Sequence, residues 1–199
     1  MISGAGLRAR IAGAASVLLL AGALSAAAQE EPWDFARLMA QLAQVQASSA
    51  RYSEVRRVAV LQKPLQLSGT LLYERPALIE KRQILPFSEV IRVDGDRLTV
   101  EREGKTRELM LQNSPLIAGL VESLRATQAG DGAELERLYS VTMGGTRQRW
   151  TLVLTPREAE IAGVVKSIDI AGSDTRIVRL EILETGGDGS VMTIHEKSP

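Results

Sequence analysis

Leu67, Gly69, Leu71 and Tyr73 alternate with Ser68, Thr70 and Glu74, and this period of two constrains the fold more than any other feature of the chain. Alternation sends one set of side chains to each face, so the segment predicts a half-buried β-strand. Arg75-Pro76 ends it, because proline has no N–H to give to a ladder. The strand pattern runs from Arg51 to Leu111, with Leu78 to Leu85 and Glu89 to Val93 as further strands. Asp94-Gly95-Asp96 reads as a hairpin turn, since glycine accepts the positive φ that tight turns demand. Leu98 to Glu101 pairs back across it. Glu103-Gly104-Lys105 repeats the device and leads to Arg107 to Leu111. Connections this local predict an antiparallel meander.

Helical spacing flanks the meander. Phe35, Leu38, Met39, Leu42 and Val45 fall at three- and four-residue steps and predict a helix over Trp33 to Ser48, with Asp34 suited to the positive end of its dipole. Ser114 is placed to cap a second helix and Pro115 to open it, where a missing N–H costs nothing. Leu116, Ile117, Leu120, Val121 and Leu124 form its apolar stripe. Gly130 and Gly132 break it, and Glu134 to Leu138 adds one more turn. Five strands are predicted after that: Tyr139 to Met143, Arg149 to Thr155, Val164 to Ile170, Thr175 to Leu183 and Val191 to His195. Gly144-Gly145, Gly172 and Gly186-Gly187-Asp188-Gly189 are read as the turns between them. About eleven short strands and two clear helices define an α+β chain with one extended antiparallel sheet.

The first 28 residues have the form of a secretory signal peptide. Arg8 and Arg10 supply the positive region, Ile11 to Leu24 the apolar one, and Ala26-Ala27-Ala28 the small-residue cleavage site before Gln29. The apolar run is shorter than the ~20 residues a spanning helix needs, and no second run follows. Export to the periplasm as a soluble protein is the expectation. The chain has no cysteine, so it has neither a lipidation site nor disulfides, and residues 29–199 must stand as one domain on their hydrophobic core. The whole chain is formally neutral. Removing two arginines and no acids with the leader leaves the remainder slightly acidic, and no basic patch points to nucleic acid.

A curled antiparallel sheet that does not fill itself leaves a concave apolar face. Aliphatic lining suits a flexible hydrocarbon, which offers no polar handle. At ~0.8 kcal/mol per methylene taken from water, a long chain gains on the order of 10 kcal/mol before ordering costs. The same pattern also describes an ordinary packed core, and periodicity alone does not separate the two.

Several motifs carry a family resemblance. Gly69-Thr70-Leu71-Leu72-Tyr73-Glu74-Arg75-Pro76, then Ala77-Leu78-Ile79-Glu80-Lys81 and Val93-Asp94-Gly95-Asp96, Ser114-Pro115-Leu116, and Leu152-Val153-Leu154-Thr155-Pro156 follow in the order and spacing of the LolA outer-membrane lipoprotein carriers. The chain resembles that family across essentially all of residues 29–199. The resemblance implies an open, incomplete antiparallel β-barrel with a helical lid. Its implied work is carrying lipoprotein acyl chains from the inner to the outer membrane, as a monomer, between an inner-membrane releasing complex and an outer-membrane acceptor. The family's functional arginine falls on Arg75, which would hold the lid shut through bonds to lid carbonyls. Arg75 is in phase with Leu67, Leu71 and Tyr73, so it points to the apolar side, where a guanidinium needs partners. An edge arginine with its head in water is the plain alternative. The residues assigned to ligand binding and the latch are Arg75, Leu71, Tyr73, Leu116 and Leu120. Arg102, Glu103, Lys105 and Arg107 stand where better-known carriers have aromatics, as in the divergent LolA-related branch. That leaves the cargo open between lipoproteins, another lipid and a polyene product.

Catalytic patterns are not found. There is no HExxH, GxSxG or phosphate loop, and the single histidine, His195, cannot build a multi-histidine metal site. Asp94/Asp96 and Asp169/Asp174 flank turns, where aspartate is expected anyway. No catalytic residue, metal or cofactor is assigned. A lipid- or lipoprotein-sensing regulatory domain on the same fold is the second reading and a periplasmic hydrolase the third. A sensor would carry a second domain or a membrane helix, and a hydrolase would lose activity with one serine or histidine.

Overall fold

A computed structural model describes residues 33–196, so the signal-peptide reading of residues 1–28 lies outside the described residues. The alternating segment forms the middle of strand β2 (Leu65–Glu74), which follows helix α1 (Phe35–Leu42) and strand β1 (Ala47–Arg57). The chain continues through β3 (Leu78–Leu85), β4 (Glu89–Asp94), β5 (Arg97–Arg102) and β6 (Lys105–Met110). Helices α2 (Pro115–Ala129) and α3 (Gly132–Leu138) lead to β7 (Tyr139–Thr146) and β8 (Arg149–Pro156). A one-turn helix α4 (Ala159–Ala162) precedes β9 (Val165–Ser173), β10 (Arg176–Glu184) and β11 (Gly189–Glu196).

These eleven strands form one antiparallel sheet in the order β6-β5-β4-β3-β2-β1-β11-β10-β9-β8-β7. Two local meanders therefore meet at a single seam, where β1 pairs β11 with Tyr52 opposite Ile194 and Glu54 opposite Met192. β6 and β7 are free edges, so the sheet is open, and α2 and α3 are the connection that runs from one edge to the other. The α+β open-sheet reading of the sequence holds.

Most of the core sits on the second meander. Leu38 and Leu42 of α1, Leu135 of α3 and Ile161 of α4 are packed with Trp150, Leu152, Leu154, Ile168 and Ile170 of β8 and β9 in one buried cluster. Each such side chain contributes roughly 1.5–3 kcal/mol by leaving water. Asp34 caps α1 by accepting from the Arg37 N–H at 2.9 Å. Gly130 closes α2 in the left-handed region at φ 69°, and a Cβ there would come 2.1 Å from the Met39 carbonyl oxygen. Both requirements select glycine, and they let α1 and α2 approach closely.

The structure departs from the sequence reading in four places. The first helix stops at Leu42 instead of reaching Ser48. The carbonyls of Ala43, Val45 and Gln46, which a longer helix would have used, accept from Arg75 instead, and Ala47 begins the ladder to β2. Ser114 holds the N-cap position of α2 but its side chain makes no capping bond. Gly144 and Gly145 lie inside β7, opposite Thr151 and Trp150, and the turn falls on Arg147-Gln148. Gly172 likewise lies inside β9, and the turn falls on Asp174-Thr175 with Asp174 at φ 52°. A Cβ on Gly172 would sit 2.0 Å from the Trp150 ring, so this glycine makes room for the indole, whose Nε1 donates to the Asp174 carbonyl at 2.9 Å.

Candidate functional site

Strand parity decides which side chains face the helices. Across β1, β2 and β3, Ala50, Leu71 and Lys81 form one row, and Ser48, Tyr73 and Ile79 the next. These rows floor a cavity of about 570 Å³. Leu124, Thr127 and Gln128 of α2 cover it, and Ile170, Leu180, Met192 and Ile194 wall it from the second meander. At the ~30 Å³ that a water-sized group occupies in a liquid, this space holds on the order of twenty heavy atoms. That is the scale of one long acyl chain, within the usual range for small-molecule sites.

The sequence-assigned residues separate in space. Leu71 and Tyr73 line the cavity. Leu120 faces a second hollow of about 170 Å³ one turn nearer the start of α2, with Ser123, Ile168 and Ile182, and Leu124 borders both spaces. Leu116 belongs to the first turn of α2, and its side chain lies outside the described residues. Lys81, Ile79, Leu124 and the β9–β11 aliphatics were not singled out from sequence. The register with Leu71 and Tyr73 was the signal for the first two.

Arg75 stands at the end of β2, beside the cavity. Its Nε donates to the Val45 carbonyl at 3.0 Å, and its Nη2 donates to the carbonyls of Ala43 and Ala129, each at 2.7 Å. Ala43 is the C-cap of α1 and Ala129 the last residue of α2. Carbonyls at a helix C-terminus lack intrahelical partners and carry the negative end of the dipole. One guanidinium thus binds the C-terminal ends of two helices at once. Arg125, on α2, makes a second tie by donating to the Gly95 carbonyl in the β4–β5 turn at 2.6 Å and to Glu122 at 3.1 Å.

A charged group sits on the same sheet face. Glu54, whose side chain is 1% exposed, accepts from Lys81 Nζ at 2.5 Å and from Arg56 Nη2 at 2.9 Å. The Lys81 ammonium lies 5.0 Å from the centre of the Tyr52 ring, and Gly69, opposite Tyr52, is bare because a Cβ there would come 1.9 Å from the Arg82 carbonyl oxygen of β3. Burial pushes the Tyr52 phenol up to about 12, with the Glu54 charge adding to the shift. The hydroxyls of Tyr52 and Tyr73 are buried and have no hydrogen-bond partner among the described residues. Arg102, Glu103, Lys105 and Arg107 are exposed, and Arg102 stacks on Phe87 at 3.9 Å. His195 meets the Ser53 hydroxyl at 3.1 Å on the opposite sheet face from Tyr52 and Glu54. No group of three or more His, Asp or Glu able to hold a metal occurs among the described residues, and no described helix is long and apolar enough to cross a membrane.

An open antiparallel sheet whose apolar hollow is closed by tied-down helices defines the class. The chain belongs to the LolA-like family: a family model described as "Outer membrane lipoprotein carrier protein LolA-like" matches residues 23–193. No curated protein matches it. Among solved structures, a LolA superfamily protein of Nitrosomonas europaea is 10% identical with a TM-score of 0.43, covering 82% of this chain and 93% of that one. The Pseudomonas aeruginosa MucA/MucB complex gives 13% identity and a TM-score of 0.44, covering 84% of this chain and 59% of that one. The Mycobacterium tuberculosis lipoprotein LppX gives 12% identity and a TM-score of 0.37, covering 83% and 95%.

Proposed function

We propose that the protein is a periplasmic carrier that shields the acyl chains of lipoproteins, or of a related lipid, during transfer from the inner to the outer membrane. The observation that carries this reading is Arg75, fastened to the C-terminal ends of both helices beside a mostly aliphatic cavity. A packed core has no use for such a space, whereas a hydrocarbon chain gains about 0.8 kcal/mol for each methylene it buries there. The latch is made of hydrogen bonds to backbone carbonyls, so it opens without unfolding the sheet. Cargo entering beneath α2 pushes those ends apart, and discharge lets them close again. The signal-peptide form of residues 1–28 supports delivery to the periplasm, and the family description supports lipoprotein acyl chains as cargo. An inner-membrane releasing complex and an outer-membrane acceptor are the implied partners, with the carrier as a monomer.

Native mass spectrometry of the protein isolated from the periplasm tests the reading. A co-purifying lipid or acylated protein is the expected result. Finding none, even after incubation with membranes, contradicts it.

A further inference from the structure

An aliphatic cavity for bare hydrocarbon needs no charge in its wall, and taking an ion pair out of water is costly. Lys81 nevertheless lines this cavity, and its ammonium reaches along the same sheet face to Glu54. Lys81 is held by Glu54, which Arg56 also engages, so one carboxylate is shared between two cations. The other acid at the cavity, Glu80, is bound by Arg82 at 3.0 Å and Arg92 at 3.5 Å. Tyr73 adds a second polar group. It lines the cavity, is 2% exposed, and has a hydroxyl without a partner among the described residues. A buried donor left unpaired costs roughly 1–3 kcal/mol unless something in the site accepts from it. Tyr73 stands opposite Ile79 in the β2–β3 ladder and Leu71 stands opposite Lys81, so Tyr73 and Lys81 are diagonal neighbours on one face. Diagonal pairs lie about 7–8 Å apart at the backbone, so a Lys81 side chain released from Glu54 can turn toward a group that Tyr73 meets.

We propose that the cavity takes an amphiphile with an anionic head, a carboxylate or a phosphate, received by the Lys81 ammonium and the Tyr73 hydroxyl while the tail lies along the aliphatic wall. Glu54 then acts as a stand-in anion: it holds Lys81 in place in the empty protein and competes for it with the arriving head. The inference rests on the carrier reading and narrows its cargo. A bare hydrocarbon would leave the Tyr73 hydroxyl unpaired, and a neutral head would give Lys81 no charge to exchange for Glu54.

The test measures displacement of a fluorescent acyl probe by palmitate, hexadecyl phosphate and hexadecanol, which share a chain length and differ in the head. The wild-type protein should bind at least one anion about tenfold or more tighter than the alcohol, a difference of roughly 1.4 kcal/mol. Which anion wins identifies the head. Lys81→Met should bring anion affinity down to that of hexadecanol and leave hexadecanol unchanged. Glu54→Gln should move the other way, tightening anion binding several-fold by freeing the ammonium. The Glu54→Gln arm and the Lys81→Met/Glu54→Gln double variant keep the test readable if Lys81→Met alone leaves a buried charge that impairs folding. Equal affinity for the three ligands in wild type, or a preference that survives Lys81→Met, overturns the anionic-head proposal and leaves the carrier standing. Failure of all three to bind overturns both.

Discussion

The two meanders use the same alternating pattern for different ends. In β8 and β9 the helix-facing side chains are filled in: Trp150, Leu152, Leu154, Ile168 and Ile170 are packed in one buried cluster with side chains of α1, α3 and α4. On the first meander the buried apolar clusters are small: Tyr52 and Leu67 pack with Met192 of β11, and Val93 packs with Leu111 and with Val121 of α2. The cavity straddles the seam, floored by β1–β3 and walled by Ile170, Leu180, Met192 and Ile194, with a buried carboxylate and two cations near it. The outer strands of the second meander are a scaffold, and the strands about the seam are a wall left partly unfilled. Alternation fixes which residues share a face, but the helices decide whether that face becomes core or hollow.

Several substitutions break or sharpen this contrast. The largest effect belongs to the scaffold. Trp150→Ala removes a side chain that is 1% exposed, packed over Gly172 and bonded to the Asp174 carbonyl, and should cost about 3–5 kcal/mol in chemical denaturation. Leu71→Ala, on the cavity floor, should cost less than about 2 kcal/mol because its side chain is only partly enclosed, yet weaken acyl-probe binding severalfold. Equal stability losses in the two variants would erase the distinction between scaffold and wall.

Arg75→Leu comes next. It removes three hydrogen bonds from partly exposed helix ends, so its effect is read in the lid more than in global stability. Hydrogen exchange in α2 should accelerate while β8 and β9 keep their protection. On the proposed carrier function, closure of the empty lid helps drive discharge, so the variant should retain cargo or fail to hand it on. Unchanged transfer would remove Arg75 from the mechanism. The smallest effect concerns Tyr52. Its folded-state value of about 12 lies above the ordinary tyrosine value, so the fold binds that proton more tightly than the unfolded chain does. Stability should be unaffected by this group below about pH 10 and fall as the pH rises from about 10 to 12. Tyrosinate absorbance should show one phenol ionising near 12, and Tyr52→Phe should remove it.

Much of this was legible in the sequence because it depends on local pattern. The period of two across Leu67 to Tyr73 and the turns at Gly95 and Gly104 located β2 and the β4–β6 hairpins. What misled was punctuation. Gly144, Gly145 and Gly172 resemble turn residues by composition, yet Gly172 is there because the Trp150 ring, distant in sequence, leaves no room for a Cβ. The overlong first helix failed for a similar reason: Arg75, thirty residues on, takes the carbonyls the helix would have used. The ion pair Glu54–Lys81 was invisible because it spans β2 and joins residues 27 apart in the sequence. Long-range contacts, not propensity, set the details of the site.

Photolabelling with a diazirine-bearing fatty acid tests the central claim most directly, because it reports where an acyl chain lies. The account predicts adducts on the cavity lining, chiefly Leu71, Leu124, Leu180 and Ile194, that disappear with excess palmitate. Adducts confined to exposed side chains such as Val60 and Leu61, with the cavity unlabelled, would contradict it.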